Sequence, residues 1–541
     1  MSKEEASFED IVELLIPYLL STADFYKISR LNKKFQALLT KYFQNDLYQI
    51  TFGHDSVEQS ILQTRFPSSF NWLELYKERL LRSKFYTWGS CRNARLGFTV
   101  QSLDLGDVSQ RHLINGLDHR SLAAGLNAPF RVPFGKNLAT HEGDAIVDLS
   151  CGGFSIQVLT SDGKLYSTGQ SYHGGHRVCG PENGDMDYGA LISLLQASNV
   201  YITRLLGRYN TSAGVASRFG ATAMGQPQRE EMADKLLKDC LGENPYVKRM
   251  VSRSSLPEIY YEDYPHSLEE IRDVTHFVKI SSGRSHFLAL GADGYIYTWD
   301  GPDVVQGIKL EFEDRSMNSP EFPVKSIKCG WDFNSCHKYG LGVIIWKNRK
   351  AVDKLDKFFA KCGDCTLVPH TEYIEDYVAL QDERIAYIDK KNGALHVYHR
   401  GTDRVLISSN VSKIQGFRDN LAVFLNDDKV FMCKIDHLEM TKLRYLTLSH
   451  SHIESVQFGD YHVLLLSSKG KIYSFGTDSQ KSGCLGLGSS KHVCDDLHIG
   501  EMLNFQDFKV GEPQLVKINL SENYCCVKLS AGGWHSCAII I

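Results

Sequence analysis

An excess of basic residues is missing from this 541-residue sequence: 60 Lys and Arg stand against 64 Asp and Glu, for a formal net charge of -4. A surface that neutralises many phosphates needs concentrated Lys and Arg, so nucleic acid is not an expected partner. Long apolar runs are also missing. No stretch reaches the ~18 to 20 uninterrupted apolar residues that a bilayer span requires. The start, MSKEEASFED, is acidic where a secretory or mitochondrial leader is basic, and the apolar run after it is short and broken by Glu13 and Pro17. The expectation is a cytoplasmic and/or nuclear protein with no membrane partner.

Metal and catalytic signatures are scarce. The 14 cysteines are scattered, which reads as reduced, mostly buried thiols. Only Cys362 and Cys365 form a C-x-x-C pair, and no second pair or histidine follows at ligand spacing, so no metal and no cofactor are expected. The sequons at Asn210, Asn410 and Asn519 are chance matches if the chain never enters the secretory route. There is no P-loop, H-E-x-x-H, G-x-S-x-G or dinucleotide fingerprint, and paired acids such as Asp427 and Asp428 sit in turn contexts. No catalytic residue can be named, and an enzyme is not expected.

What is present is a globular composition, 43% hydrophobic and 11% aromatic. Near the start, Ile11, Leu14, Leu15, Tyr18 and Leu19 share one helical face. Ser21 and Asp24 make an S-x-x-D capping signal, after which Phe25, Ile28, Leu31, Phe35, Leu38 and Leu39 continue the helical pattern. A module of this size has too little interior to bury every one of these side chains, so a partner should cover part of the face. The segments EDIVELLIPYL, ADFYKISRL and NKKFQALL resemble an F-box over about residues 8 to 39, with Ser7-Phe8 in place of the usual Leu-Pro and with Pro17 kinking or shortening the first helix. FNWLELYKERLLRS at 70 to 83 is similar to the helix that often follows an F-box, with Trp72, Tyr76 and Leu80 four apart. The resemblance implies binding to the Skp adaptor and, through it, to a cullin-RING ligase. The adaptor-facing candidates from the stripe are Ile11, Leu14, Leu15, Leu19, Ile28, Leu31 and Phe35, some of which serve instead as internal core.

Past residue 84 the texture changes to short β-type runs with glycine turns. The clearest copy of a recurring unit is VKISSGRSHFLALGADGYIYTWD at 278 to 300, in which Asp293-Gly294 is a hairpin signal. Other copies begin at 147 and 456, a weaker one at 327, and worn ones at 385 and 414. VKLSAGGWHSCAII from 527 stops after its second strand, while KFYTWGSCRNARLGF from 84 supplies a strand with nothing before it. Half a unit at each end lets first and last strands pair and close a ring. The expected fold is a small all-α F-box module followed by an all-β propeller of about seven blades. Its bounds are 1–45 for the F-box, 46–83 for a helical linker and 84–541 for the propeller. G-x-x-H, the DG-x-[VIL]-Y-x-W/F-G run and the CLGLG exit loop resemble repeats of the regulator of chromosome condensation. Gly152, Gly283, Gly459 and Gly532 are expected to supply backbone angles that favour glycine. His286, His462 and His535, and Trp88, Trp299 and Trp534, are expected in the blade core.

Repeat spacing breaks down near 171–270, where an insertion lies, and again near 484–512; both are candidates for partner recognition. The leading functional expectation is a non-catalytic substrate-recognition subunit of a Skp-cullin-F-box ubiquitin ligase, holding a protein substrate for ubiquitination and proteasomal degradation by proximity. Guanine-nucleotide exchange on a small GTPase, as known in the repeat family, and a ligase-independent scaffold are the alternatives. The substrate-binding residues cannot be named from the sequence.

Overall fold

The computed structural model describes residues 30–42, 48, 52, 56–65, 75–76, 79, 83–90, 95–96, 114–115, 125–131, 145–161, 163, 165–169, 258–259, 277–299, 308–347, 359–362, 364–504, 506–518 and 521–541. Most of the insertion near 171–270 therefore lies outside the described residues, as do the S-x-x-D signal, Pro17, Trp72 and Leu80.

Seven sheets of four or five strands form a β-propeller. Blade 2 opens with Ile146–Cys151, blade 3 with Phe277–Ser282, blade 4 with Val324–Cys329, blade 5 with Ile374–Ala379, blade 6 with Val411–Phe417 and blade 7 with Ile453–Phe458. Blade 1 is composite. Its inner strands, Cys526–Gly532 and His535–Ile540, come from the end of the chain, and Lys84–Ser90 from the start of the repeat region completes it. Lys84 pairs with Ile540 and Gly89 with His535 in an unbroken antiparallel ladder. The split repeat thus closes the ring and leaves neither terminal strand as an open edge.

The innermost strand of every blade carries a register irregularity in its first half, for instance between Ile146 and Asp148, Phe277 and Lys279, Val411 and Lys413, and Cys526 and Lys528. Blades 4, 5 and 7 repeat it. An extra residue at that point bends the strand and increases its twist. Blades 5 and 6, whose sequence motifs are worn, keep this geometry, so the backbone repeat outlasts the side-chain repeat.

The Asp293-Gly294 hairpin has Gly294 at φ +82°, with open space where a Cβ would stand. Its glycine is there for conformation alone. The glycines at the entry turns differ from expectation: Gly152, Gly283, Gly459 and Gly532 are absent from the positive-φ positions. Their reason is proximity. A Cβ on Gly532 would run into the carbonyl oxygen of Gly152 in the next blade, and one on Gly283 into its own blade's His286 ring and the Gly330 carbonyl. The entry turns are also linked from blade to blade, Gly153 N to Gly283 O at 3.1 Å, Arg284 N to Trp331 O at 3.0 Å and Asp460 N to Gly533 O at 2.8 Å.

The recurring histidines extend the same ties. His286 Nε2 lies 3.3 Å from Phe333 O, His462 Nε2 2.8 Å from Ser536 Oγ, and His535 Nε2 3.1 Å from Ser155 O, each bond reaching into the following blade. All three are buried. Burial disfavours the imidazolium and pulls the His286 pKa down to about 4 and that of His462 to about 3. Cys362 and Cys365 mark a handover: Phe359–Cys362 runs parallel to Ile308–Phe312 in blade 3, while Cys365–Val368 is the outer strand of blade 4. Both thiols pack in an apolar cluster with Cys336 and Met317.

Two outcomes follow from this packing. Gly294→Ala should cost about 1 kcal/mol through its backbone angle. Gly532→Val, which forces two blades apart, should cost more than about 2 kcal/mol; equal urea midpoints for the two variants would show that close approach is not the constraint. For His462 the folded pKa lies below the unfolded value, so its stabilisation is complete above about pH 6.5 and declines as the pH falls toward 3, by up to about 1.4 kcal/mol per pH unit. His462→Gln should flatten the fall of melting temperature between pH 7 and 5, and an unchanged slope would contradict the assignment.

Candidate functional site at the propeller mouth and the helical face

Two surfaces are set by the direction of the strands. Inner strands run toward one end of the ring, the mouth, and the entry turns lie there. The opposite end carries the starts of the inner strands.

The helical segment sits at that opposite end. Helix α1 (Lys33–Tyr42) is capped by Asn32, whose Oδ1 accepts from Phe35 N at 2.9 Å. Helix α2 (Ser56–Arg65) has Glu58 in its first turn and Arg65 in its last, a favourable order for the helix dipole. Glu58, Ile61 and Leu62 are buried together on one face. Ser60 Oγ donates to Glu454 Oε1 at 3.0 Å and Arg65 Nη2 to Asn523 Oδ1 at 3.0 Å, tying α2 to blades 7 and 1. Beneath it, Glu58 Oε1 accepts from Arg79 Nε at 2.8 Å and from Tyr48 OH at 2.6 Å, with the Arg79 guanidinium 4.8 Å from the Phe52 ring. Leu75 and Tyr76 join the same core, which is continuous with Phe85 and Trp88 of blade 1.

Of the adaptor-facing candidates, Ile11, Leu14, Leu15, Leu19 and Ile28 lie outside the described residues. Leu31 is 67% exposed, whereas Phe35 is buried in the core that joins helices to propeller. These two are therefore not on one common surface.

The mouth holds residues that sequence reasoning missed. Around it, Arg95 stacks 5.0 Å from Phe154 and 5.7 Å from Trp534, Arg284 stacks 5.8 Å from Phe154 and 5.4 Å from Trp331, and Arg418 stacks 4.8 Å from Trp331. Tyr461, half exposed, lies 5.7 Å from the Trp534 ring. Trp534, expected in a blade core, is instead part of this belt, with its indole N–H buried and without an acceptor; Trp88 and Trp299 are core, as expected. Into the belt projects Asp460, 3.5 Å from Arg418 Nη1. Burial raises its pKa, and the charges of Arg418, Arg284 and Arg95 oppose that rise. The charges of three guanidinium groups thus bear on this one carboxylate, with that of Arg418 within ion-pair reach. A repeat alignment read at the one or two positions after each turn glycine, where Arg284, Trp331, Asp460 and Trp534 fall, carries the signal.

The exit loop at 484–488 closes over blade 1: Trp88 Nε1 donates to Cys484 O at 3.0 Å and Gly488 N to Asn127 O at 2.8 Å. Beyond it, the second insertion forms a helical turn at Lys491–Asp496 and the strand Gly500–Met502, which pairs with Phe508–Leu515. Among the described residues no group of three or more His, Cys, Asp or Glu could hold a metal ion, and no helix is long and apolar enough to cross a membrane.

Comparison with known proteins places this arrangement. The family described as the regulator of chromosome condensation (RCC1) repeat matches residues 469–539, which take in the outer strands of blade 7 and the closing strands of blade 1. SCF-associated factor 1 of Saccharomyces cerevisiae is similar at 29% identity, covering 98% of this chain and 97% of that protein. F-box protein pof9 of Schizosaccharomyces pombe is 25% identical over 52% of this chain and 62% of its own length. The solved structure of Kap60 bound to yeast RCC1 (Prp20) matches at a TM-score of 0.50 and 12% identity, over 87% of this chain and 91% of the other, a likeness of fold. The chain is thus a seven-bladed β-propeller with a helical segment before it, in which residues 469–539 match the RCC1 repeat and which is similar, at moderate identity, to fungal F-box and SCF-associated proteins.

Proposed function

We propose that this protein is a non-catalytic substrate adaptor of an SCF-type ubiquitin ligase, acting in the cytoplasm and/or nucleus, with its N-terminal helices engaging the Skp adaptor and its propeller engaging a protein substrate. The observation that carries the reading is kinship along nearly the whole chain, helices included, with a protein named for its association with SCF. Kinship limited to the propeller would speak only for the fold.

The structure adds a physical rationale. Helices α1 and α2 rest on the propeller through the buried Arg79–Glu58–Tyr48 cluster and the Phe85 core, and so are held at one end of the ring. A ligase bound there and a substrate bound at the mouth would not compete for surface. Catalysis in such a complex comes from proximity, which raises the effective concentration of the substrate near the ubiquitin-charged enzyme. The adaptor-facing set is proposed as Ile11, Leu14, Leu15, Leu19, Ile28 and Leu31, with Phe35 anchoring α1 to the propeller from inside.

The test is co-purification of the full chain with the Skp adaptor. Charging both Leu14 and Leu15 to Asp removes two apolar contacts of about 1.5–3 kcal/mol each and should weaken adaptor binding at least about a hundredfold. The melting temperature should stay unchanged. Failure of the unaltered chain to bind, or full binding by the double variant, would contradict the proposal.

A further inference from the structure

The mouth belt joins features of opposite tendency. Three arginines are drawn together at one end of the ring, and the carboxylate set among them, that of Asp460, is largely buried. Asp332, exposed on the blade 4 turn, is committed to the backbone N–H of Asp382 at 2.9 Å, and Asp382 is in turn paired with Arg400 at 2.9 Å. Within the belt itself three guanidinium groups face one carboxylate, while Glu383 and Asp419 on neighbouring entry turns are paired with Lys347 and Lys434.

The aromatic rings hold the guanidinium groups by their faces. Stacking of this kind fixes the plane of an arginine while leaving its N–H edge to point elsewhere. Arg418 shows the consequence: its guanidinium carbon lies over the Trp331 ring and one Nη reaches Asp460, while its buried Nε has no hydrogen-bond acceptor. The buried indole N–H of Trp534 also has none. Two buried donors without a protein acceptor cost the folded protein free energy that an incoming acceptor would recover. A carboxylate is an acceptor-only group that matches the guanidinium fork. Asp460 already occupies part of such a site and marks its chemistry.

Location supports an incoming chain. The third strands Lys84–Ser90, Leu165–Gly169 and Ile472–Asp478 end at this face, while the helices occupy the opposite end and leave it clear of them.

Resting on the adaptor reading above, we infer that the mouth is the substrate-docking site and that it takes an acidic segment of the partner protein, whose carboxylates enter among Arg95, Arg284 and Arg418 and accept from the free donors of Arg418 and Trp534. Asp460 acts as an internal competitor that a substrate carboxylate must displace or outbid. Specificity then lies in acidic side chains spaced to reach across the ring, with the half-exposed Tyr461 offering a face for a neighbouring apolar group.

The experiment uses the full chain and a fluorescein-labelled octaglutamate peptide, followed by anisotropy at low ionic strength. Octaglutamate should bind, and the octaglutamine and phosphoserine counterparts should bind less well. Arg284→Gln with Arg418→Gln should weaken octaglutamate binding about tenfold or more through loss of charge-assisted bonds. Asp460→Asn should strengthen it severalfold, a gain that misfolding cannot produce. No octaglutamate binding, equal binding of octaglutamine, preference for the phosphoserine peptide, or affinity unchanged in all variants would overturn the inference. Co-purification of the unaltered chain with the Skp adaptor separates the two readings: if it succeeds while octaglutamate fails, only the docking site falls, and if it fails, the ligase reading falls whatever the peptide does.

Discussion

The pairing of Lys84–Ser90 with His535–Ile540 is the contact on which the other features of this molecule depend. It joins strands separated by more than four hundred residues of chain and turns an open array into a ring. Once the ring is closed, inner strands must converge, and convergence leaves no room for a Cβ at Gly532 beside Gly152 or at Gly283 beside Gly330. The same convergence brings His462 to Ser536 and His535 to Ser155, so the two blades flanking the seam are bound to it through buried side chains. Each histidine is held neutral by its burial, which makes the seam a place where acid acts on stability.

Closure also builds the mouth. Arg95 lies just after the first propeller strand and Trp534 just before the last, and they stack only because the chain ends meet. The belt is therefore a product of topology, assembled from single residues of several blades. At the other end of the ring, α2 covers blades 1 and 7, and its buried Glu58–Arg79 pair is satisfied in part by Tyr48. A buried ion pair of this kind adds little net stability compared with an apolar contact but is costly to break, so it fixes how the helical segment sits. The protein presents two ends of different character, one helical and apolar beneath, one cationic and aromatic.

The architecture was legible in the sequence because each blade repeats a local program: apolar strand, glycine turn, apolar strand, Asp-Gly hairpin, apolar strand. VKISSGRSHFLALGADGYIYTWD displays all of it, and the half units at 84 and 527 announced the seam. Blades 5 and 6 were legible only faintly, since their inner-strand irregularities are backbone features that many side chains tolerate. The reason for the entry-turn glycines was not legible, because it lies in contacts between blades whose spacing exists only in the closed ring. Trp534 was misplaced for the same cause: its spacing matches a core position, but the turn that holds it faces the mouth. Which residues join the helical linker to the propeller core was not legible, since the apolar face of Ile61 and Leu62 does not say what covers it.

The central claim, that ligase and substrate engage opposite ends of one closed ring, is tested most directly by hydrogen exchange of the full chain with and without the Skp adaptor. The account predicts new protection confined to the N-terminal helical segment, with the turns at Gly153, Arg284, Trp331, Arg418, Asp460 and Gly533 unchanged. Protection appearing at those turns, or no complex at all, would contradict it.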